Sequence, residues 1–249
     1  MTIYAKSGGV WSGMTPYVKD GGVWKLAEPY LKSGGVWKPL SPKVATLTLV
    51  GGATAQGATI AWSAVAGFQA GDLVLLFDQA ETLNSIPPTS VIPTGFTNIN
   101  DFSISAGVSG RSMISHRILD GTEGGNITGM NSGTTLQGKY LLIFRGDRAV
   151  SAVVSSAFNN EATTGDPAAQ TVAAGSGAAP LIVLGAAFGT GGGSGFSTAS
   201  PAFDATATFG GSTVGVAGYK VYNSAPANHS IDMADKGNNI LSSGYVSIQ

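Results

Sequence analysis

The sequence predicts an all-β protein: an N-terminal module of β-hairpin repeats over residues 1–43, then a jelly-roll-like β-sandwich domain over residues 44–249. Three observations carry this. Glycine, at 37 of 249 residues, is present at about twice its usual share, and only 11% of residues are charged, less than half of the roughly 25% that is usual. Abundant glycine and sparse charge disfavour long amphipathic helices and favour turns. The first 43 residues repeat with a strict period of 13. The remainder consists of short apolar runs separated by Gly, Ser, Thr, Asn and Pro, at the spacing of a sandwich or jelly roll.

The repeats are YAKSGGVWSGMTP from Tyr4, YVKDGGVWKLAEP from Tyr17 and YLKSGGVWKPLSP from Tyr30. Asp20-Gly21, with Ser7-Gly8 and Ser33-Gly34 as its counterparts, has the composition of a two-residue type I′ turn. A hairpin about that turn sets Tyr17 opposite Trp24, Tyr4 opposite Trp11 and Tyr30 opposite Trp37. Each such aromatic pair contributes roughly 0.2–1 kcal/mol beyond Ala–Ala, too little for a lone hairpin to stand in water. The three units therefore require one another, a second chain or a larger surface. Tyr4, Trp11, Tyr17, Trp24, Tyr30 and Trp37 are the candidate binding residues, and two readings of them stay open. They are the small core of a β module used in assembly, or platforms for sugar stacking or cation binding.

Six lysines against Asp20 and Glu28 leave residues 1–43 at +4, and since the whole chain is at −1 the remainder is at −5. The asymmetry suggests complementary surfaces. A near-neutral chain exerts no general attraction on nucleic acid or anionic membrane, so neither is an expected partner.

From Lys43 the composition shifts to Ala, Gly, Ser and Thr, which places a boundary at Ser41-Pro42. The expected strands are Ala45–Val50, Leu73–Phe77, Ser112–Leu119, Tyr140–Phe144, Ala149–Val154, Leu181–Phe188, Val214–Tyr222, Ser230–Met233 and Gly244–Ile248. The runs Leu73–Phe77, Tyr140–Phe144 and Leu181–Leu184 do not alternate, so both faces of those strands should be covered. Periodicity alone leaves a buried helix open for them, while short length and flanking Gly or Pro180 favour strand. Gly189–Gly195 with Phe196–Pro201 reads as a flexible loop. It lacks the Lys-Ser or Lys-Thr and the following helix of a phosphate-binding loop.

Chemistry is sparse. The absence of cysteine excludes disulfides, thiolate nucleophiles and Cys-based zinc sites. Met1–Gly9 carries no apolar segment behind a basic start, and no apolar run approaches ~18 residues, so neither a cleaved export signal nor membrane insertion is expected. His116 shares a strand face with Ile114 and Ile118 and reads as a core or interface histidine; His229 falls in a turn and reads as solvated. The carboxylates, among them Asp72, Asp78, Asp101, Asp120, Asp147 and Asp166, sit at turns and strand ends. No catalytic residue, metal ligand or cofactor is expected, although a carboxylate pair across a sugar-sized cleft is not legible from sequence.

The repeated Tyr-x-Lys-(Ser/Asp)-Gly-Gly-Val-Trp over residues 4–42 resembles the short N-terminal repeats of tailed-bacteriophage virion proteins, namely tail-fibre, minor tail and head-fibre proteins. In the body, Ala70–Phe77, Pro93–Thr97, Ile143–Gly146 and Asn239–Val246 resemble a β-sandwich domain of phage appendage and bacterial surface proteins. The resemblance implies a non-enzymatic component, commonly a homotrimer. It would be assembled in the host cytoplasm, held in the virion by other virion proteins, and would present its sandwich to a host-surface glycan or protein. It transfers no binding-site residue. The alternatives are a carbohydrate-binding module built on the Tyr/Trp repeats and a polysaccharide depolymerase.

Overall fold

The computed structural model describes residues 3–7, 10–14, 17–20, 23–26, 30–33, 36–39, 44, 46–82, 86–105, 109–129, 136–163, 167–189, 195–209, 215–233 and 239–249. The chain divides into two compact units, Met1–Lys43 and Val44–Gln249.

In the first unit each repeat forms an antiparallel pair: β1 (Ile3–Ser7) with β2 (Val10–Met14), β3 (Tyr17–Asp20) with β4 (Val23–Leu26), and β5 (Tyr30–Ser33) with β6 (Val36–Pro39). The register differs by one residue at the turn from the sequence expectation. Asp20 pairs with Val23, Lys19 with Trp24 and Tyr17 with Leu26, so the residues between the paired ends are Gly21 and Gly22. Likewise Lys6 faces Trp11 and Tyr4 faces Gly13, while Lys32 faces Trp37 and Tyr30 faces Pro39. The expected Tyr–Trp cross-strand pairs are thus replaced by Lys–Trp positions. A two-residue type I′ loop favours positive φ at both central positions, a demand that Gly-Gly meets more readily than Asp-Gly or Ser-Gly.

Among its described residues the second unit is all-β apart from single 3₁₀ turns at Trp62–Ala64 and Ala174–Ser176. Its first half supplies β7 (Leu47–Gln56), β8 (Thr59–Ala61), β9 (Leu73–Thr82), β10 (Thr97–Ile104), β11 (Ser109–Ile118), β12 (Asn126–Thr128) and β13 (Leu136–Gly146). Its second half supplies β14 (Val153–Ser155), β15 (Asn159–Thr163), β16 (Gln170–Val172), β17 (Leu181–Gly189), β18 (Phe196–Ser200), β19 (Ala205–Phe209), β20 (Gly215–Tyr222), β21 (His229–Met233) and β22 (Asn239–Ile248). One antiparallel sheet runs β10-β11-β9-β13-β7; the other runs β14-β22-β17-β20-β19 with β15 also on β22. Each large sheet is therefore filled by one contiguous half of the body.

The non-alternating runs are explained by four layers. Leu73, Leu75, Phe77, Tyr140, Leu142 and Phe144 point into the space between the two large sheets, where they meet Ile182, Leu184, Ala186 and Tyr219. The intervening Val74, Leu76, Leu141 and Ile143 face the other way, into a second core closed by Ile60, Trp62 and Ile127 from the β8–β12 ribbon and its turn. On the far side Leu181, Val183 and Ala187 meet Val172 and Ile231 of the three-stranded sheet β16-β21-β18. Both faces are thus covered, as the pattern predicts, and burial of each such Leu, Val or Phe contributes about 1.5–3 kcal/mol.

Two reciprocal hydrogen-bond pairs tie the sheets together at their edges. The Asn100 and Asn160 amides donate to each other at 2.9 and 3.0 Å. The Asn223 side chain accepts from the Leu47 N–H at 2.6 Å and donates to its carbonyl at 3.1 Å, as a further strand would. On the outer face of the second sheet Gly185 and Gly218 are cross-strand partners. The Phe203 ring lies against both, so a Cβ on Gly218 would come within 2.5 Å of it.

Several sequence expectations are corrected. Of Ala149–Val154 only Val153–Val154 lies in a strand. Val150 is instead buried beneath Gly71, to whose carbonyl its N–H donates at 3.0 Å. Phe196–Ser200 is not loop but β18, held to β21, with Phe196 packed on Phe203 at a 5.0 Å ring separation; residues 190–194 lie outside the described residues, as do Ala45, Asp166 and Val214. Asp78 is not at a strand end. It sits inside β9 opposite Lys139 of β13, with Oδ1 2.7 Å from Nζ and both side chains fully buried. A Cβ on Gly129 would overlap this carboxylate, so the pair is roofed by bare backbone.

Candidate functional site

Tyr4 lies in β1, Trp11 in β2, Tyr17 in β3, Trp24 in β4, Tyr30 in β5 and Trp37 in β6. Their side chains fall outside the description; what the backbone places opposite each tryptophan is a lysine of the same repeat.

In the second unit the side chains best arranged for recognition gather at one end of the first large sheet. β10 begins at Thr97, opposite His116, so the last two residues of β11, Arg117 and Ile118, have a strand partner on the β9 side only. The gap left beside them is bordered by the Pro93–Phe96 turn and by the turn that follows β11. The first is closed by the Phe96 N–H donating to the Pro93 carbonyl at 3.0 Å, with Gly95 at φ +81°, the backbone that a glycine at the third position of a type II turn supplies. Phe96 then stacks on Trp62, 6.1 Å between ring centroids, and the Arg117 guanidinium lies 5.8 Å from the Trp62 ring centre.

Two adjoining depressions result, with Arg117 and Thr94 in the wall they share. One, of about 260 Å³, is lined by Trp62, Pro93, Phe96, Gly124, Asn126 and Thr128. The other, of about 510 Å³, is lined by Gly95, Thr97, His116, Ile118 and Asp120.

The wall is held rigidly. Arg117 is 3.2 Å from an Asp120 carboxylate oxygen and 3.1 Å from Glu123, whose side chain is fully buried. Glu123 also accepts the backbone N–H groups of Asp120 and Gly121, both at 2.9 Å. Hydrogen bonds from the Thr122 hydroxyl and N–H, with the Arg117 charge assisting, hold the Asp120 carboxyl below the usual carboxylate range. Asp120 is therefore a charged acceptor near neutrality, the wrong state for a proton donor. Burial lowers the His116 pKa, so its ring is neutral at pH 7. Among the described residues no group of three or more His, Asp and Glu side chains is placed to hold a metal ion.

Two further titratable groups have structural work. His229, expected to be solvated, is 1% exposed. It shares a 2.8 Å hydrogen bond with the Tyr222 hydroxyl and stacks on Phe203, because the residue opens β21 of the outer sheet and not a surface turn. Asp72 is bound in fork geometry by Arg145, at 2.9 Å from Nε and 2.8 Å from Nη2, which joins the start of β9 to the end of β13. Sequence reading gave no binding role to Arg117, Thr94, Asn126 or Glu123. They lie in separate segments, and the only local signal was the Pro-Thr-Gly-Phe turn.

Comparison of the chain with protein-family models, with curated proteins and with solved structures returns no match.

Proposed function

We propose that the chain is a non-enzymatic structural component of a tailed-phage virion, a fibre or minor appendage protein. Residues 1–43 attach it to the particle, and residues 44–249 present a β-sandwich for host-surface binding. The observation that carries this reading is the pairing within each repeat. Three separate two-stranded sheets, each marginal alone in water, recur at fixed spacing with a lysine opposite every tryptophan. Such units gain stability from symmetry mates or from a particle surface. A homotrimer and contacts with other virion proteins follow from the same reading.

Deleting residues 1–43 tests it. The truncated protein should fold, lose its trimeric mass in light scattering and be absent from purified particles; normal occupancy would refute the docking role. The rival reading, a carbohydrate-binding module using the tryptophans of the repeats, requires that Trp24→Ala reduce retention on glycans. A depolymerase would release reducing ends from host envelope polysaccharide.

A further inference from the structure

We infer that the cleft between the Pro93–Phe96 turn and the Asp120–Gly125 turn binds a neutral sugar residue of a surface glycan. The inference rests on the host-surface reading above and gives it a site.

A pyranose offers two kinds of surface, an apolar C–H face and a rim of hydroxyls that each donate and accept. The cleft offers the complement of both. Phe96 and Trp62 supply an apolar floor, and Thr94, Thr97, Asn126 and Thr128 supply hydroxyl and amide groups around it. Arg117 and Asp120, 3.2 Å apart, place a donor fork beside a charged acceptor, the spacing that two vicinal hydroxyls bridge. Of the depressions, about 260 and 510 Å³, the larger falls within the 300–1,000 Å³ typical of small-ligand sites and the smaller just below it.

Charge selects among sugars. Arg117 contributes one positive charge, while Asp120 and Glu123 contribute two negative charges around it, and His116 is neutral. The local balance is negative, so a uronate, sialate or phosphate brought here meets repulsion with no unpaired cation to offset it. A neutral hexose or N-acetylhexosamine meets none. The turn is also set before ligand arrives: the buried Glu123 carboxylate already holds the Asp120 and Gly121 N–H groups, which reduces the ordering cost of binding.

The test titrates full-length protein with methyl α-glucoside, methyl β-galactoside and N-acetylglucosamine, and in parallel with glucuronate and N-acetylneuraminate. Amide chemical shifts are followed by NMR. At least one neutral sugar should move the signals of Thr94, Gly95 and Asn126 at millimolar concentration, with the acidic sugars clearly weaker. Asp120 has a side chain 60% exposed and lies in a surface turn, so Asp120→Ala should leave the protein folded, with a modest fall in melting temperature from the lost Thr122 and Arg117 bonds, and weaken that sugar about tenfold. Asn126→Ala, also at an exposed residue, provides the second variant. Equal binding of glucuronate and glucoside overturns the charge argument, and no shift at these amides with any neutral sugar overturns the site. Competition for host cells by the same purified protein separates the two levels. If the protein blocks phage adsorption yet binds no sugar here, the cleft inference falls and the host-binding reading stands. If it neither blocks nor binds, both fall.

Discussion

Replacing Lys139 by Met should be among the most destabilising single changes in the protein. Lys139 and Asp78 face each other on adjacent strands, 2.7 Å apart and with no solvent exposure. At an effective dielectric of about 20 their attraction is of order 6 kcal/mol, and it offsets a desolvation cost of several kcal/mol per ion. The intact pair is therefore close to break-even. Methionine keeps the length of the lysine stem but leaves the Asp78 carboxylate, which has no solvent exposure, without its cation beneath the Gly129 backbone. The expected loss is about 3–5 kcal/mol, or a fall in Tm of roughly 6–20 °C at about 2–4 °C per kcal/mol for a chain of this size. Urea unfolding followed by circular dichroism, combined with thermal melts, measures it. Adding Asp78→Asn to Lys139→Met should recover a large part of the loss, because the remaining group is then uncharged. A single-variant loss below about 1 kcal/mol, or a double variant no better than the single, would refute the claim that this pair is dry and coupled.

The hairpin register can be read chemically because the chain has no cysteine of its own: Lys19→Cys with Trp24→Cys, directly opposite, should form a disulfide on mild oxidation, whereas Tyr17→Cys with Trp24→Cys should not. Cross-linking of the second pair and not the first would restore the Tyr–Trp register. Gly218→Ala should lower stability by about 1–3 kcal/mol by pushing Phe203 off its seat, detected by denaturant unfolding, and an unchanged midpoint would show that the ring moves freely. Burial lowers the His229 pKa below its ordinary value of 6.5, so the neutral ring stabilises the fold fully above about pH 6.5, and this contribution is lost as pH falls through the lowered folded value. His229→Gln should therefore narrow the difference between Tm at about pH 7.5 and about pH 5; since the raised pKa of Glu81 acts in the opposite direction, the comparison with wild type is the readout, and an unchanged difference would count against the assignment.

The fold class was legible because the strongest strands carry their own signal. Leu73–Phe77, Tyr140–Phe144 and Leu181–Leu184 are short and apolar at every position, the pattern of strands covered on both faces. The covering layers were not legible. Asn126–Thr128, Asn159–Thr163 and Gln170–Val172 are short segments with few apolar residues, and they become strands through partners distant in sequence. Strand ends were missed for a related reason. β9 continues through Asp78, Gln79 and Glu81, residues that read as turn until Lys139 and Ser112 are seen to satisfy two of them. The register of the repeats failed over one residue, since Asp-Gly and Gly-Gly both suit a tight turn and the local sequence contains both. The cleft needed three segments brought together by β11 ending beyond β10, which no spacing rule encodes.

The division of the large sheets between the two halves of the body also has a consequence for synthesis. All five strands of the first sheet, residues 47–146, emerge from the ribosome before any strand of the second. Its outer face can close at once with the β8–β12 ribbon, also encoded early, but Leu73, Leu75, Phe77, Leu142 and Phe144 wait for partners that begin only at Val153. With about 100 residues still to come at about 5–20 residues per second, that greasy face stays open for roughly 5–20 s on every chain. A released fragment ending near Ser151 should accordingly bind a hydrophobic dye that the full-length protein excludes, and chaperones would meet the nascent chain on this surface.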